Sequence, residues 1–298
     1  MRVYVIGNVA VDETISVSSL PEAGASLLGR EESRDLGGKG ANQAVVCGRC
    51  GVGTTLVTAV GDDFRAGMIQ SQLAEEPVEG RLVQLAGTSS DFSIVFTTPD
   101  GENAIVTTTE AAETLTLEDA LEGLSGAQSG DVAILQGNLS EPVTRGVLQA
   151  ARDKGLVTAF NPSPLRPYFA QIWPVVDLAF LNQGEAASLT GTEGREAANI
   201  LLAAGVRQVV LTSGGDGALL AGETGTVVVP ASPADVIDTT GAGDTFMAVA
   251  IASAALRGVQ LDERALRHAS AASAITVSRR GTRSAFPTRD ELADILSA

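Results

Sequence analysis

The chain has 298 residues, 44% of them hydrophobic, and a formal net charge of -16; this allows one large buried core and argues against disorder. So acidic a chain lacks the basic patches that nucleic acid and anionic membrane surfaces require, leaving small anions held by local amides, a few cations or a metal. No apolar run approaches the ~18 residues of a membrane span, and the start Met1-Arg2-Val3-Tyr4-Val5-Ile6 reads as a buried strand, not a signal peptide, so a cytoplasmic protein is expected.

Residues 2–6 predict a strand that ends at Gly7-Asn8, where a parallel sheet delivers its first loop. Val11, Thr14, Ile15 and Val17, then Leu27-Leu28, read as short strands broken by Pro21 and Gly24. Gly37-Gly38-Lys39-Gly40-Ala41-Asn42-Gln43 opens a helix to about Gly51, and a strand over 54–60 and a helix near 66–74 follow. Two β-runs, 93–98 and 104–109, flank Pro99-Asp100-Gly101-Glu102-Asn103, a hairpin signal. With the early strands they predict a small β element, about 11–36 and 91–109, set apart from the main sheet as a lid or an oligomer contact.

Alternation then resumes. Strands are expected over 132–136, 156–160, 178–181 and 208–212, and helices over 142–154 and 195–204. Two further β-runs precede a helix beginning near Asp244, and helices over 262–278 and 288–297 close the chain. Strand followed by helix, repeated this often, predicts a single α/β domain over 1–298 with a doubly wound, mainly parallel sheet flanked by helices. Ligands of such sheets bind beyond the carboxyl ends of the strands.

The stretch that organises the chemistry is Asp238-Thr239-Thr240-Gly241-Ala242-Gly243-Asp244, followed by the apolar run Thr245 to Ala252. Small residues ahead of a helix leave backbone N–H groups free to receive an anion such as phosphate. Asp244 there serves either as an ordinary first-turn acid or as a general base beside a transferring phosphoryl group; the paired glycines favour the second. Other chemistries have weaker footing. Gly38-Lys39 has no glycine at position 33 and no hydroxyl at position 40, so it is no P-loop, and no G-x-G-x-x-G follows the first strand. Cys47 and Cys50 lack a second pair to complete a metal site, so they read as packing residues. His268, the single histidine, has no evident catalytic partner.

Two stretches, Gly37-Gly38-Lys39-Gly40-Ala41-Asn42-Gln43-Ala44 and Asp238 to Phe246, resemble the ribokinase-like (pfkB) family of carbohydrate kinases. Between them, Asn182-x-x-Glu185 resembles the family's metal-linked motif and Thr212-Ser213-Gly214-x-x-Gly217 its nucleotide loop. The resemblance runs from Val3 to about Pro287, with the motifs in family order.

The resemblance implies ATP-dependent phosphorylation of a primary hydroxyl of a small sugar, a pentose such as D-ribose. It implies Asp244 as base beside the amides of Gly241, Ala242 and Gly243, and a sugar held by Asp12, Gly38, Lys39, Asn42 and Asn138. ATP would lie along Asn182, Thr212, Gly214, Gly217, Gly241 and Gly243, with Mg²⁺ held through water by Glu185 and a monovalent cation, K⁺, around Asp238, Thr240 and Gly281. It also implies a homodimer through the β lid. Three positions depart from the family's ribose-phosphorylating members: Ala10 replaces an asparagine, Asn138 a glutamate and Ala285 a hydroxyl residue. A nucleoside or another small alcohol is therefore an alternative acceptor. A non-catalytic sugar-binding relative is the third reading, disfavoured because Asp244, Asn182 and Glu185 are all present.

Overall fold

The structure, a computed structural model, describes residues 1–99 and 103–298. In chain order its strands and α-helices are β1 (Val3–Ile6), β2 (Ala10–Val17), β3 (Gly29–Gly37), α1 (Lys39–Arg49), β4 (Thr54–Val60), α2 (Phe64–Leu73), β5 (Val78–Gln84), β6 (Phe92–Thr97) and β7 (Asn103–Thr107). There follow α3 (Glu110–Thr114), α4 (Leu117–Glu122), β8 (Val132–Gln136), α5 (Glu141–Asp153), β9 (Val157–Asn161), β10 (Leu178–Asn182), α6 (Gln183–Thr190), α7 (Gly194–Ala203) and β11 (Gln208–Thr212). The chain closes with β12 (Ala218–Gly222), β13 (Gly225–Val229), α8 (Ala242–Arg257), α9 (Glu263–Val277) and α10 (Arg289–Ser297).

Among the described residues a nine-stranded sheet has the order β13-β12-β11-β10-β9-β8-β1-β4-β5. Its pairs are parallel from β11 through to β5, and β12 and β13 add antiparallel at one edge. Alternation along the central strands sends side chains to two cores. Val3 and Val5 pack toward α1, α8 and α9 on one face, and Tyr4 and Ile6 pack toward α5 and α7 on the other. The doubly wound α/β expectation therefore holds.

The parallel register lines up the carboxyl ends. Gln136 lies opposite Asn161 and Asn182 opposite Thr212, a polar row along one edge of the sheet. Over it stands α8, whose residues from Asp244 to Ala254 are all buried. A helix apolar on every side belongs inside a core, and α8 lies between α1 and α9.

The second sheet has the order β3-β2-β6-β7 and is built from the segments expected to stand apart. Leu27-Leu28 lies outside it, contrary to expectation: β3 begins at Gly29, and Leu28 is 96% exposed. This edge strand, GREESRDLG, is paired along its length with β2. Arg30, Glu31, Glu32 and Arg34 face water, which obscured it among the apolar patterns. The turn expected at Pro99-Asp100-Gly101-Glu102-Asn103 lies, at residues 100–102, outside the described residues. The edge strand β5, VEGRLVQ, and the short helices α3, α4 and α6 were not foreseen. β5 carries Glu79, which bonds Arg2 and Arg81, so its sequence reads as polar.

Cys47 and Cys50 are buried free thiols. Burial pushes the Cys47 thiol up and that of Cys50 up to about 12, so both are inert packing groups. His268 is buried, with Nδ1 2.8 Å from the Ser253 hydroxyl. Among the described residues no helix is long and apolar enough to cross a membrane.

Candidate active site

Two adjoining hollows open above the carboxyl edge of the main sheet. The larger, about 410 Å³, is bounded by Thr212, Gly214 and Gly217 after β11, by residues 231–234, and by Ser270 and Ser273 of α9. The smaller, about 200 Å³, is bounded by Lys39, Asn161, Asn182, Glu185, Gly241 and Asp244. Thr212, Thr239, Gly243 and Phe246 face both. A ligand in one therefore meets a ligand in the other at the first turn of α8.

That turn is shaped by Gly241, the N-cap of α8, at φ 75°. A Cβ there would also lie 2.6 Å from Cε1 of Phe286, so the position needs glycine for its backbone and for its neighbour. The first-turn N–H groups of a helix have no partner within it. Of the three amides expected to form an anion cradle, that of Ala242 is turned to the Thr239 carbonyl at 3.3 Å, because the chain enters α8 through a tight turn. The amide of Gly243, facing both hollows, has no such internal partner among the described residues.

Asp244 is buried, 6% exposed, and its two oxygens have separate donors. Asn42 Nδ2 donates to Oδ2 at 2.9 Å and Gln43 Nε2 to Oδ1 at 2.9 Å. Behind Gln43, Gln136 Nε2 donates to Gln43 Oε1 at 2.7 Å. The first turn of α1, opened by Gly38, thus abuts the first turn of α8, and Lys39 contributes the cation of the smaller hollow.

Asp12, on β2 opposite Asp35 of β3, is 7% exposed. Burial raises its carboxyl above the usual aspartate value; the Thr282 and Ser93 hydroxyls pull it back, and the Asp35 and Asp244 carboxylates push it up again. Thr282 Oγ1 donates to Asp12 Oδ2 at 2.8 Å. The neighbouring residues of the same loop also hold acids. Gly281 N donates to Asp238 Oδ2 at 3.1 Å, and Arg283 Nε and Ser284 N donate to Asp35 at 3.1 and 2.9 Å. One tetrapeptide thereby ties the second sheet to the loop ahead of α8.

Asn182 and Glu185 form a reciprocal cap on α6, Glu185 N donating to Asn182 Oδ1 at 2.8 Å and Asn182 N to Glu185 Oε2 at 2.9 Å. The N-x-x-E spacing is thus a helix start, and Glu185 also lines the smaller hollow. Among the described residues no group of three acidic, histidine or cysteine side chains could hold a metal. One carboxylate beside a phosphate-sized hollow suits Mg²⁺, which keeps waters and takes substrate phosphates as ligands. Asp238 Oδ1 also accepts from Thr240 N at 2.9 Å, so Asp238, Thr240 and Gly281 are together; Ala285, four residues after Gly281, is fully buried and offers no hydroxyl.

Asn138 lines neither hollow; it is 4% exposed and its Oδ1 has no donor among the described residues. The sequence reading did not single out Gln136 or Thr282, nor assign a contact to Gln43, although Gln43 lay inside a quoted motif. Polar residues at the end of an apolar strand, as Gln136 is in VAILQ, are the signal that marks them.

The chain matches the pfkB family carbohydrate kinase model over residues 2–289. It is 30% identical over 296 residues to the ribokinase of Bacillus subtilis, covering 99% of each chain. It is 28% identical over 305 residues to a bifunctional ribokinase/ribose-5-phosphate isomerase A of Fructilactobacillus sanfranciscensis, covering 99% of this chain and 56% of that longer relative's length. The crystal structure of a ribokinase from Thermotoga maritima superposes with a TM-score of 0.90 at 25% identity, covering 100% of both chains. A doubly wound sheet with its hollows at the α8 N-terminus, matched along nearly its whole length, belongs to the pfkB family of carbohydrate kinases, and the chain is an ATP-dependent sugar kinase.

Proposed function

We propose that this kinase phosphorylates a primary hydroxyl of a pentose, D-ribose, with Asp244 as general base. The observation that carries this reading is the position of Asp244 on the smaller hollow, beside the wall that both hollows share. The sugar is held by Asp12, Lys39 and Asn42, with Gly38 completing its surroundings. A carboxylate can accept from two vicinal hydroxyls while ammonium and amide groups donate. The nucleotide lies along Thr212, Gly214 and Gly217, its phosphates reaching Asn182, Gly241 and Gly243.

The sugar oxygen attacks the γ-phosphorus in line, its proton passes to the Asp244 carboxylate, the bond to the β–γ bridging oxygen breaks, and ADP leaves. The Gly243 amide and Lys39 meet the charge that develops on the transferring group. Glu185 would hold Mg²⁺ through water, and the bound ion supplies charge neutralisation at the phosphates. Asp238, Thr240 and Gly281 are the donors suited to K⁺.

The lid sheet closes over the sugar and excludes water that would otherwise accept the phosphoryl group. Its exposed edges carry Ile105 and Val106, 50% and 62% exposed, which suits pairing with a second copy of this chain. Sedimentation of the native chain beside an Ile105→Lys, Val106→Lys variant tests the dimer.

Ala10 and Asn138 favour a second reading on the same fold, with a nucleoside or another small alcohol as acceptor. An assay with ATP against D-ribose, 2-deoxy-D-ribose, hexoses and nucleosides decides between them. Turnover of D-ribose with kcat/KM above the other acceptors supports the first reading, and a preference for any other acceptor overturns it.

A further inference from the structure

The amide pair behind Asp244 has a logic that packing does not supply. An ionised carboxylate only accepts, so Gln43 must turn its Nε2 toward Asp244 Oδ1, 2.9 Å away. Its Oε1 then points backward and must meet a donor, and Gln136 Nε2 does so at 2.7 Å. Each amide's orientation is thus dictated in turn by the carboxylate.

Gln43 and Gln136 are both fully buried, and Gln136 Oε1 has no hydrogen-bond partner among the described residues. The space for that oxygen exists because residue 7 is glycine; a Cβ there would lie 1.9 Å from it. An apolar side chain at 136 would remove that orphaned acceptor but strip the buried Gln43 Oε1 of its donor, so the two amides stand or fall as one unit.

Asn42 differs. It is 6% exposed and its only side-chain hydrogen bond among the described residues is the one to Asp244 Oδ2, at 2.9 Å. Oδ1 therefore has a donor locked from behind, whereas the donor on Oδ2 is free to exchange for a sugar hydroxyl.

We infer that Gln43, locked by Gln136, is a positioning residue that fixes Asp244 Oδ1 and presents Oδ2 to the sugar. The inference rests on Asp244 being the base. Gln43 acts through Asp244 and does not bind the sugar, so its removal lowers kcat and leaves KM in place.

The test uses the full chain with ATP, Mg²⁺ and whichever panel sugar the wild type turns over fastest. Gln43→Met keeps the shape and deletes the donor; kcat should fall about 10- to 100-fold, the range for a misplaced reacting group, with both KM values within twofold. Gln136→Leu should lower kcat several-fold in the same pattern, and the double variant should be no slower than Gln43→Met alone, as expected for one coupled unit. Wild-type kcat in a folded Gln43→Met variant, or a loss expressed in the sugar KM alone, overturns the inference. If Gln43→Met does not fold, Gln136→Leu decides by the same criteria. Asp244→Asn measured alongside separates the two ideas: retained turnover there removes the base, whereas an inactive Asp244→Asn beside a normal Gln43→Met removes only the role of Gln43.

Discussion

Asn42 Nδ2 donates to Asp244 Oδ2 at 2.9 Å across 202 positions of sequence. The bond joins the starts of two helices, α1 and α8, each entered through glycine, so that a residue expected at the sugar meets the acid expected to deprotonate it. Small side chains let the helices approach this closely: Cys47 Sγ of α1 sits 3.6 Å from the Ala248 carbonyl of α8. The consequence is an acid that is buried, held on both oxygens, and open to ligand on one side.

Replacing Asp244 by Asn removes the proton acceptor and keeps the volume. Expected is a fall in kcat of about 10² to 10⁴ with ATP and sugar binding retained, read by steady-state kinetics and by calorimetric titration of each ligand.

Asp12 supplies a pH dependence. Burial raises its carboxyl above the ordinary value of 3.8, and the protonated form accepts fewer sugar hydroxyls. The sugar KM should therefore climb as pH falls, starting at a higher pH than an exposed aspartate would give, with kcat less affected. Thr282→Val deletes the hydroxyl that bonds Asp12 Oδ2 at 2.8 Å, a bond that favours the charged form. The climb should then begin at a higher pH still, and an unchanged KM profile would contradict the assignment.

Glu185→Gln distinguishes the cap from the metal. A glutamine can still accept from Asn182 N, so the melting temperature should stay within a few degrees. The Mg²⁺ concentration for half-maximal rate should rise about 10-fold or more, measured by titrating the ion at saturating ATP and sugar.

Gly241→Ala places a side chain at φ 75° and against Phe286, which is 1% exposed. A destabilisation of about 1–3 kcal/mol is expected from the strained backbone, seen in urea unfolding, together with a lower kcat because the Gly243 amide shifts with the turn.

Asp91 sets a stability trend with pH. Its carboxylate accepts from Ala111 N at 3.1 Å and Ala112 N at 2.9 Å, and its carbonyl accepts from Val11 N at 3.1 Å, joining the second sheet to α3. Burial, against these bonds, pushes its carboxyl from 3.8 up to about 6. Between those values the folded chain binds more protons than the unfolded one, so this residue's contribution to stability falls as pH rises through the window and is level above it. Asp91→Asn should therefore gain in melting temperature relative to the wild type between pH 4 and pH 7. A constant difference would exclude the trend.

What the sequence determined by itself is whatever depends on neighbours along the chain. The strand over 54–60 was legible because the largely β-branched run TTLVTAV lies between Gly53 and Gly61, and Gly241 to Asp244 marked a helix start because glycine and first-turn chemistry are local. Asn182-x-x-Glu185 was legible as a motif, yet its capping role needed the helix after it. β3 and β5 were obscured by charges that face water from edge strands. Only the tertiary structure decided that Gln43, backed by Gln136, holds Asp244, that Thr282 holds Asp12, and that Asn138 stands back from both hollows. Those relations arise where the carboxyl ends of parallel strands meet two helix starts, and contacts between such distant segments are fixed by the packing of α1 and α8 on the sheet, which no local pattern encodes.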